Sequence, residues 1–251
     1  MLQELLISMR DALAHPLPIV LLALWFVLMA SVPILTWIKG ENGRKLGISL
    51  TVLAQAALSV AFLAGELELP MLLVTIAGIP AFGWLSEFAG SQTGLPFGRY
   101  HYTDVLQPQI GHVPVIIPLA WLMMIPASWA MAGLLPEESP RLVKLVVAAL
   151  SFTAWDLYLD PQMVGWKFWE WEQDGAYFGI PVINYVGWFL VAFLISALLM
   201  PVGFAAPGLV AVYLLTWVMQ LVAQVFFWNL KGPAVFGFLG MGACVVLVLV
   251  L

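Results

Sequence analysis

Eight long apolar runs decide what this chain can fold into. They cover roughly residues 17–38, 46–65, 69–88, 113–135, 141–160, 182–200, 207–228 and 233–251. Each is close to the ~20 apolar residues that cross a bilayer as a helix. Lipid offers no partner for backbone N–H and C=O groups, so a spanning segment must satisfy its own. The expectation is an all-α fold: a polytopic integral membrane helix bundle of about eight transmembrane helices. Seven is the alternative count, because the last runs are closely spaced. Pro33, Pro80, Pro118 and Pro126 fall inside runs, which membrane helices tolerate better than soluble ones. No internal repeat or long linker divides the chain, so residues 1–251 read as a single transmembrane domain. Leu2, Leu5, Leu6, Met9 and Leu13 recur at helical spacing, so residues 1–14 read as a short interfacial helix. Glu4 and Asp11 in that stretch argue against a cleavable signal peptide.

Charge narrows the class further. Only 9% of residues are charged and the formal net charge is -5. A soluble domain is nearer a quarter charged, and with no basic tract nucleic acid is excluded as a partner. The single cysteine, Cys244, allows no intramolecular disulfide and reads as packing. Lys39, Arg44, Lys45, Arg99, Lys167 and Lys231 fall in the odd-numbered loops, against Arg10, Arg141 and Lys144 on the other side. By the positive-inside rule the odd loops are cytoplasmic and both termini outside. The long polar, aromatic loops 89–112 and 161–181 then share the cytoplasmic face of the cell membrane.

Two carboxylates stand out against this background. Asp156 and Asp160 lie four residues apart near the end of the fifth run, on one helix face. An ionisable group inside a membrane span is costly and marks a functional site by default. The same topology brings Glu87, Arg99, Asp104 and Asn184 to the same membrane face. Each has a bland alternative. Asp160 can be a helix end before Pro161, Asp156 the structural partner of Arg99, and Glu87 an interfacial acid. Trp166, Trp169 and Trp171 can form an interfacial belt.

The chemistry that suits such a group is acid catalysis on an apolar substrate. A carboxyl group in a low-dielectric site, with a second one beside it, holds its proton more readily. It can protonate an isolated carbon–carbon double bond. Aromatic faces stabilise the resulting tertiary cation, and Trp155, Tyr158, Trp121 and Phe97 are the candidates. A second acid or amide orients the water that captures it.

Four ordered motifs carry a family resemblance. They are Glu87-x-x-Gly90-x-x-Thr93-Gly94-x-Pro96-Phe97-Gly98-x-Tyr100-x-Tyr102-Thr103; Val113-Pro114-x-x-Ile117-Pro118-x-Ala120-Trp121-x-Met123-Met124; Ala154-Trp155-Asp156-Leu157-x-Leu159-Asp160-Pro161-x-Met163-Val164; and Tyr177-Phe178-Gly179-Ile180-Pro181-x-x-Asn184-x-x-Gly187-Trp188. Together they resemble the membrane carotenoid hydratases, which include bacterial gamma-carotene 1',2'-hydratases and haloarchaeal bisanhydrobacterioruberin hydratases. The resemblance implies a cofactor-independent, metal-free addition of water to the terminal isopropylidene double bond of a linear carotenoid, giving a tertiary 1-hydroxy end group. Its partners would be the carotenoid in the bilayer, water, lipid and other carotenoid-biosynthesis enzymes. Residue roles are read from the chemistry. Asp156 is the proton donor, Asp160 its partner or water-orienting base, and Glu87 a second base. Arg99, Tyr100, Tyr102, Asp104 and Asn184 complete the polar end of the pocket.

Three rivals remain open at this point. Asp156-x-x-x-Asp160 is also half of a magnesium-diphosphate site of an intramembrane prenyltransferase, but no second acidic cluster accompanies it. A transporter would use intramembrane acids too, yet the polar groups crowd one face and mark no path through the midplane. A non-catalytic carotenoid-binding protein is the third.

Overall fold

The computed structural model describes residues 16–251, so the interfacial helix expected over 1–14 lies outside the described residues. Among the described residues the fold is all-helical, with four very short strands at one end: β1 (Tyr100–Tyr102), β2 (Gln109–Ile110), β3 (Val113–Pro114) and β4 (Trp169–Trp171). The first helical stretch, α1, runs Pro16–Glu66, and its backbone breaks at Gly40 (φ 58, ψ -140). A straight helix of that length would run about 76 Å, over twice the hydrocarbon core. The break instead folds α1 into a hairpin. Gly43 lies directly against the Leu35 backbone, with no room for a side chain, and Gly47 packs closely on Leu35 and Val32. The left-handed φ at Gly40 is one that glycine adopts freely.

Six further helices follow: α2 (Leu69–Thr93), α3 (Ile116–Ala132), α4 (Arg141–Gly165), α5 (Val182–Leu199), α6 (Pro207–Phe226) and α7 (Lys231–Val250). Among the described residues six helices, α1 counted as one, are long and apolar enough to cross a membrane, and the shorter apolar α3 joins them; the two arms of α1 bring the apolar helical segments to eight. The chain is a multi-pass membrane protein. The expected run 113–135 shortens to a 17-residue helix. Val113 and Pro114 are taken by strand pairing with Gln109 and Ile110, and α3 ends at Gly133.

Helix α3 is the axis of the bundle. From Trp121 to Ala132 every residue is buried, and α1, α2, α4 and α6 pack around it. Helix α4 lies beside α3 and is flanked in turn by α5 and α7. Between lipid-facing helices there is little hydrophobic driving force, so close approach at small residues supplies the packing. Trp121 fills the notch at Gly83, Phe62 that at Gly208, Tyr158 that at Gly237 and Trp217 that at Gly242.

Helix α4 continues past Pro161 to Gly165 rather than ending there. Proline has no N–H to give the carbonyl four residues back, which is that of Leu157. The Tyr177 hydroxyl donates to this carbonyl instead, at 2.9 Å. The next carbonyl, of Tyr158, accepts from the Gln224 side chain at 2.7 Å. Two distant segments thus stitch the helix at the turn that bears Asp160.

Candidate active site

Successive helices run in opposite directions, so four helix ends meet at one level: the last turns of α2 and α4 and the first turns of α3 and α5. Glu87 comes from α2, Trp121 from α3, Asp156 and Asp160 from α4, and Asn184 from α5. Two strands roof them. β1 (Tyr100–Tyr102) pairs antiparallel with β4 (Trp169–Trp171), Tyr100 opposite Trp171 and Tyr102 opposite Trp169. Strand side chains alternate between faces. Tyr100, Tyr102, Trp169 and Trp171 therefore point down into the bundle while His101 and Glu170 pair outside at 3.7 Å.

The three acids are buried, each no more than 3% exposed. Every hydrogen bond they receive comes from an uncharged donor. Glu87 accepts from the Tyr100 hydroxyl, from the Tyr102 hydroxyl at 2.8 Å and from the Trp121 indole at 3.2 Å. Asp160 accepts on Oδ1 from the indoles of Trp169 (2.6 Å) and Trp171 (3.4 Å). The Asn184 amide spends both its hydrogens on the pair, reaching Oδ2 of Asp160 and Oδ2 of Asp156, each at 2.8 Å. Oδ1 of Asp156 has no partner among the described residues. Burial and then the charge of Glu87 hold the Tyr100 and Tyr102 hydroxyls well above the usual phenol range, so they stay donors at any physiological pH.

Glu87 and Asp160 line a common cavity of about 30 Å³, room for one or two waters. Its other walls are mainly aromatic: Phe97, Tyr100, Tyr102, Trp121, Trp169, Trp171 and Trp188. Trp188 stacks on Trp121 and on Phe152, with ring centroids 5.0 Å apart in both cases. Asp156 sits one turn deeper, behind Asn184.

The geometry brings together Glu87, Phe97, Tyr100, Tyr102, Trp121, Asp156, Asp160 and Asn184. Arg99 and Asp104 are exposed and stand outside. With Tyr100 and Tyr102 turned inward, strand alternation turns Arg99 outward, and Asp104 falls in the turn beyond the strand. Arg99 is thus not the counter-ion of Asp156. Tyr158 is buried on the opposite side of α4, its hydroxyl donating to the Trp217 carbonyl at 3.2 Å. Two positions past Asp156 on a helix is about 200° round the axis. Trp155 stands off the cavity and meets it through Trp188, at 6.1 Å between rings, and through Phe152, at 5.8 Å. Trp169, Trp171 and Trp188 belong to the site beyond the expected set. The alternation Tyr100-His101-Tyr102 and Trp169-Glu170-Trp171 was the available signal: two polar-out, aromatic-in triplets. Among the described residues, no three His, Cys, Asp or Glu side chains converge as a metal-ligand set.

Neither the curated proteins nor the solved structures contain a match to this chain. A family model described as "Carotenoid biosynthesis protein" matches residues 46–250, from the second arm of α1 to the end of α7 and across the whole buried acid cluster. The chain therefore belongs to the carotenoid biosynthesis protein family.

Proposed function

We propose that this protein is a carotenoid hydratase, adding water to the terminal isopropylidene double bond of a linear carotenoid. One observation carries the reading: buried carboxyls facing a water-sized cavity walled by aromatic rings, with no Lys or Arg on that wall among the described residues. A magnesium-diphosphate site would want cations there, so the prenyltransferase reading has no support from the wall. Uncompensated charge is costly in such a place. One proton shared by Asp156 and Asp160 leaves a single negative charge on the pair instead of two.

Asp160 faces the cavity and is the group that delivers the proton; Asp156, the donor expected from sequence, backs it through Asn184. The π electrons of the double bond take the proton onto the CH carbon, leaving a tertiary cation on the dimethyl carbon. Negative charge on Glu87 and Asp160 and the faces of Trp121, Trp171 and Trp188 stabilise that cation. Water adds to it and returns a proton to the Asp pair, so the acid is restored and the net change is one water gained. Tyr100, Tyr102 and Trp121 hold Glu87 in place. In this reading the polyene lies in the bilayer of the cell membrane and the site lies at the cytoplasmic end of the bundle, beneath its aromatic roof.

Expression in a host that makes lycopene or gamma-carotene tests this. Mass analysis of the pigments is expected to show one water gained per linear end group. Unchanged pigment mass with several linear carotenoids, in folded protein, would overturn it.

A further inference from the structure

A second chamber lies on the other side of Leu159. Leu159 lines the acid-bearing cavity and also this larger space of about 90 Å³. One stripe of α4 forms its inner wall: Trp155, Leu159, Gln162, Met163 and Trp166, at helical spacing. The α1 hairpin, Met123 of α3 and the C-terminal half of α6 complete it. At its outer end stand the half-buried Trp166 and Trp228, rings 5.0 Å apart, with the Arg44 guanidinium 5.1 Å over Trp166. This end lies level with the loops. From Trp166 to Trp155 the chamber follows α4 inward for about 16 Å.

Its lining is unusual for the middle of a membrane bundle. Thr51, Gln55, Gln162, Thr216 and Gln220 all contribute. Gln55 is 2% exposed and far from either end of its helical arm. The indole N–H of Trp155, 1% exposed, has no acceptor among the described residues. The Thr51 and Thr216 hydroxyls donate to the carbonyls of Gly47 and Val212, and the Gln55 amide to that of Met123, yet their oxygens keep acceptor capacity that a hydrocarbon chain leaves unused. Water can fill it and can accept from the Trp155 indole.

We propose that this chamber is a water inlet, holding ordered water along the Gln55–Gln162–Thr216 lining and passing it by Leu159 to the acid-bearing cavity. The consumer of that water rests on the hydratase reading; the wetness of the chamber does not. The aromatic roof covers the acid-bearing cavity, and this chamber reaches the loop face without crossing it.

Hydroxyl-radical labelling of the full-length protein in nanodiscs, with X-ray radiolysis of water and peptide mass analysis, tests this directly. Met123, Met163 and Trp155 are expected to label at least several-fold faster than Met131 and Met241, which are fully buried elsewhere. Gln55→Leu combined with Thr216→Val should bring the chamber residues down to that dry level. It should also slow hydration while carotenoid binding, read from the absorption shift, persists. Thr216→Val alone, a smaller change, should lower both partway and serves if the double variant misfolds. Chamber residues that label no faster than Met131 in the wild type would overturn the proposal. A labelled chamber in a protein that hydrates no carotenoid would overturn the hydratase reading and the inlet role, leaving a water site alone.

Discussion

The indole N–H of Trp169 meets Oδ1 of Asp160 at 2.6 Å, the shortest of three bonds that reach this carboxyl. Hydrogen bonds to charged groups contribute more than neutral ones, about 1.5–3 kcal/mol each. Trp169→Phe keeps the ring and removes the donor, so hydration should fall about tenfold to a hundredfold. Trp171→Phe, whose bond is 3.4 Å, should cost clearly less. The ratio of hydrated to unhydrated pigment per mole of protein measures both. Equal losses would mean that the indoles act as wall and not as donors.

Asn184→Leu removes the donor that the two aspartates share. Neither carboxyl then has a bond that fixes it relative to the other. Loss of a positioned acid costs about 10²–10⁴-fold, and hydration should drop by an amount in that range. Carotenoid uptake, read by absorption, should remain. Loss of uptake together with hydration would point instead to collapse of the α4–α5 contact.

Asp160→Asn and Asp156→Asn separate the two acids. Asp160→Asn should abolish hydration within detection, as removal of the group that carries the proton. Asp156→Asn should leave a measurable remainder, since Asp160 still faces the cavity. The reverse order, measured in the same pigment assay, would return the donor role to Asp156.

Gly187 has no room for a side chain. A Cβ there would stand 2.7 Å from both the Phe97 ring and the Pro96 carbonyl oxygen. Gly187→Ala must push the loop before β1 outward, and overpacking of this kind costs about 1–3 kcal/mol. A lower thermal midpoint and weaker hydration are expected together. An unchanged midpoint would show that the loop yields freely.

The roof should also carry an alkaline limit. Tyr100 and Tyr102 keep their protons in the folded protein above the usual phenol value of 10.0. Their contribution to stability is therefore complete below about pH 10 and is lost as pH rises beyond it, because only the unfolded chain then releases the protons. Thermal midpoints between pH 8 and 11.5 should fall more steeply above pH 10 for the wild type than for a Tyr100→Phe, Tyr102→Phe double variant. Parallel curves would remove the two phenols from the account.

Much of this arrangement was legible in the chain. Alternating spans place Glu87, Asp156, Asp160 and Asn184 at one level with no knowledge of side-chain contacts. The helical period pairs Asp156 with Asp160. It equally sends Tyr158 to the far side of α4, where the count of residues per turn puts it. What stayed hidden depends on pairing across distance. Trp169 and Trp171 read as an interfacial belt because nothing local says that Tyr100–Tyr102, much earlier in the chain, pairs with them, Tyr100 opposite Trp171 and Tyr102 opposite Trp169. Once that pairing exists, alternation alone turns Arg99 outward and removes it from the site.

The same four roof residues wall the cavity and supply donors to its acids. The dimethylvinyl end group of the proposed substrate is bulkier than the one or two waters the cavity has room for, so admitting it means shifting part of that wall. Any shift of Tyr100, Tyr102, Trp169 or Trp171 loosens the bonds on Glu87 or Asp160 in the same movement. Under the hydratase reading, entry of the substrate and readjustment of the donors on the acids are therefore coupled. In the hydratase reading, the roof that selects the end group by size is also the roof that sets the donors on its acids.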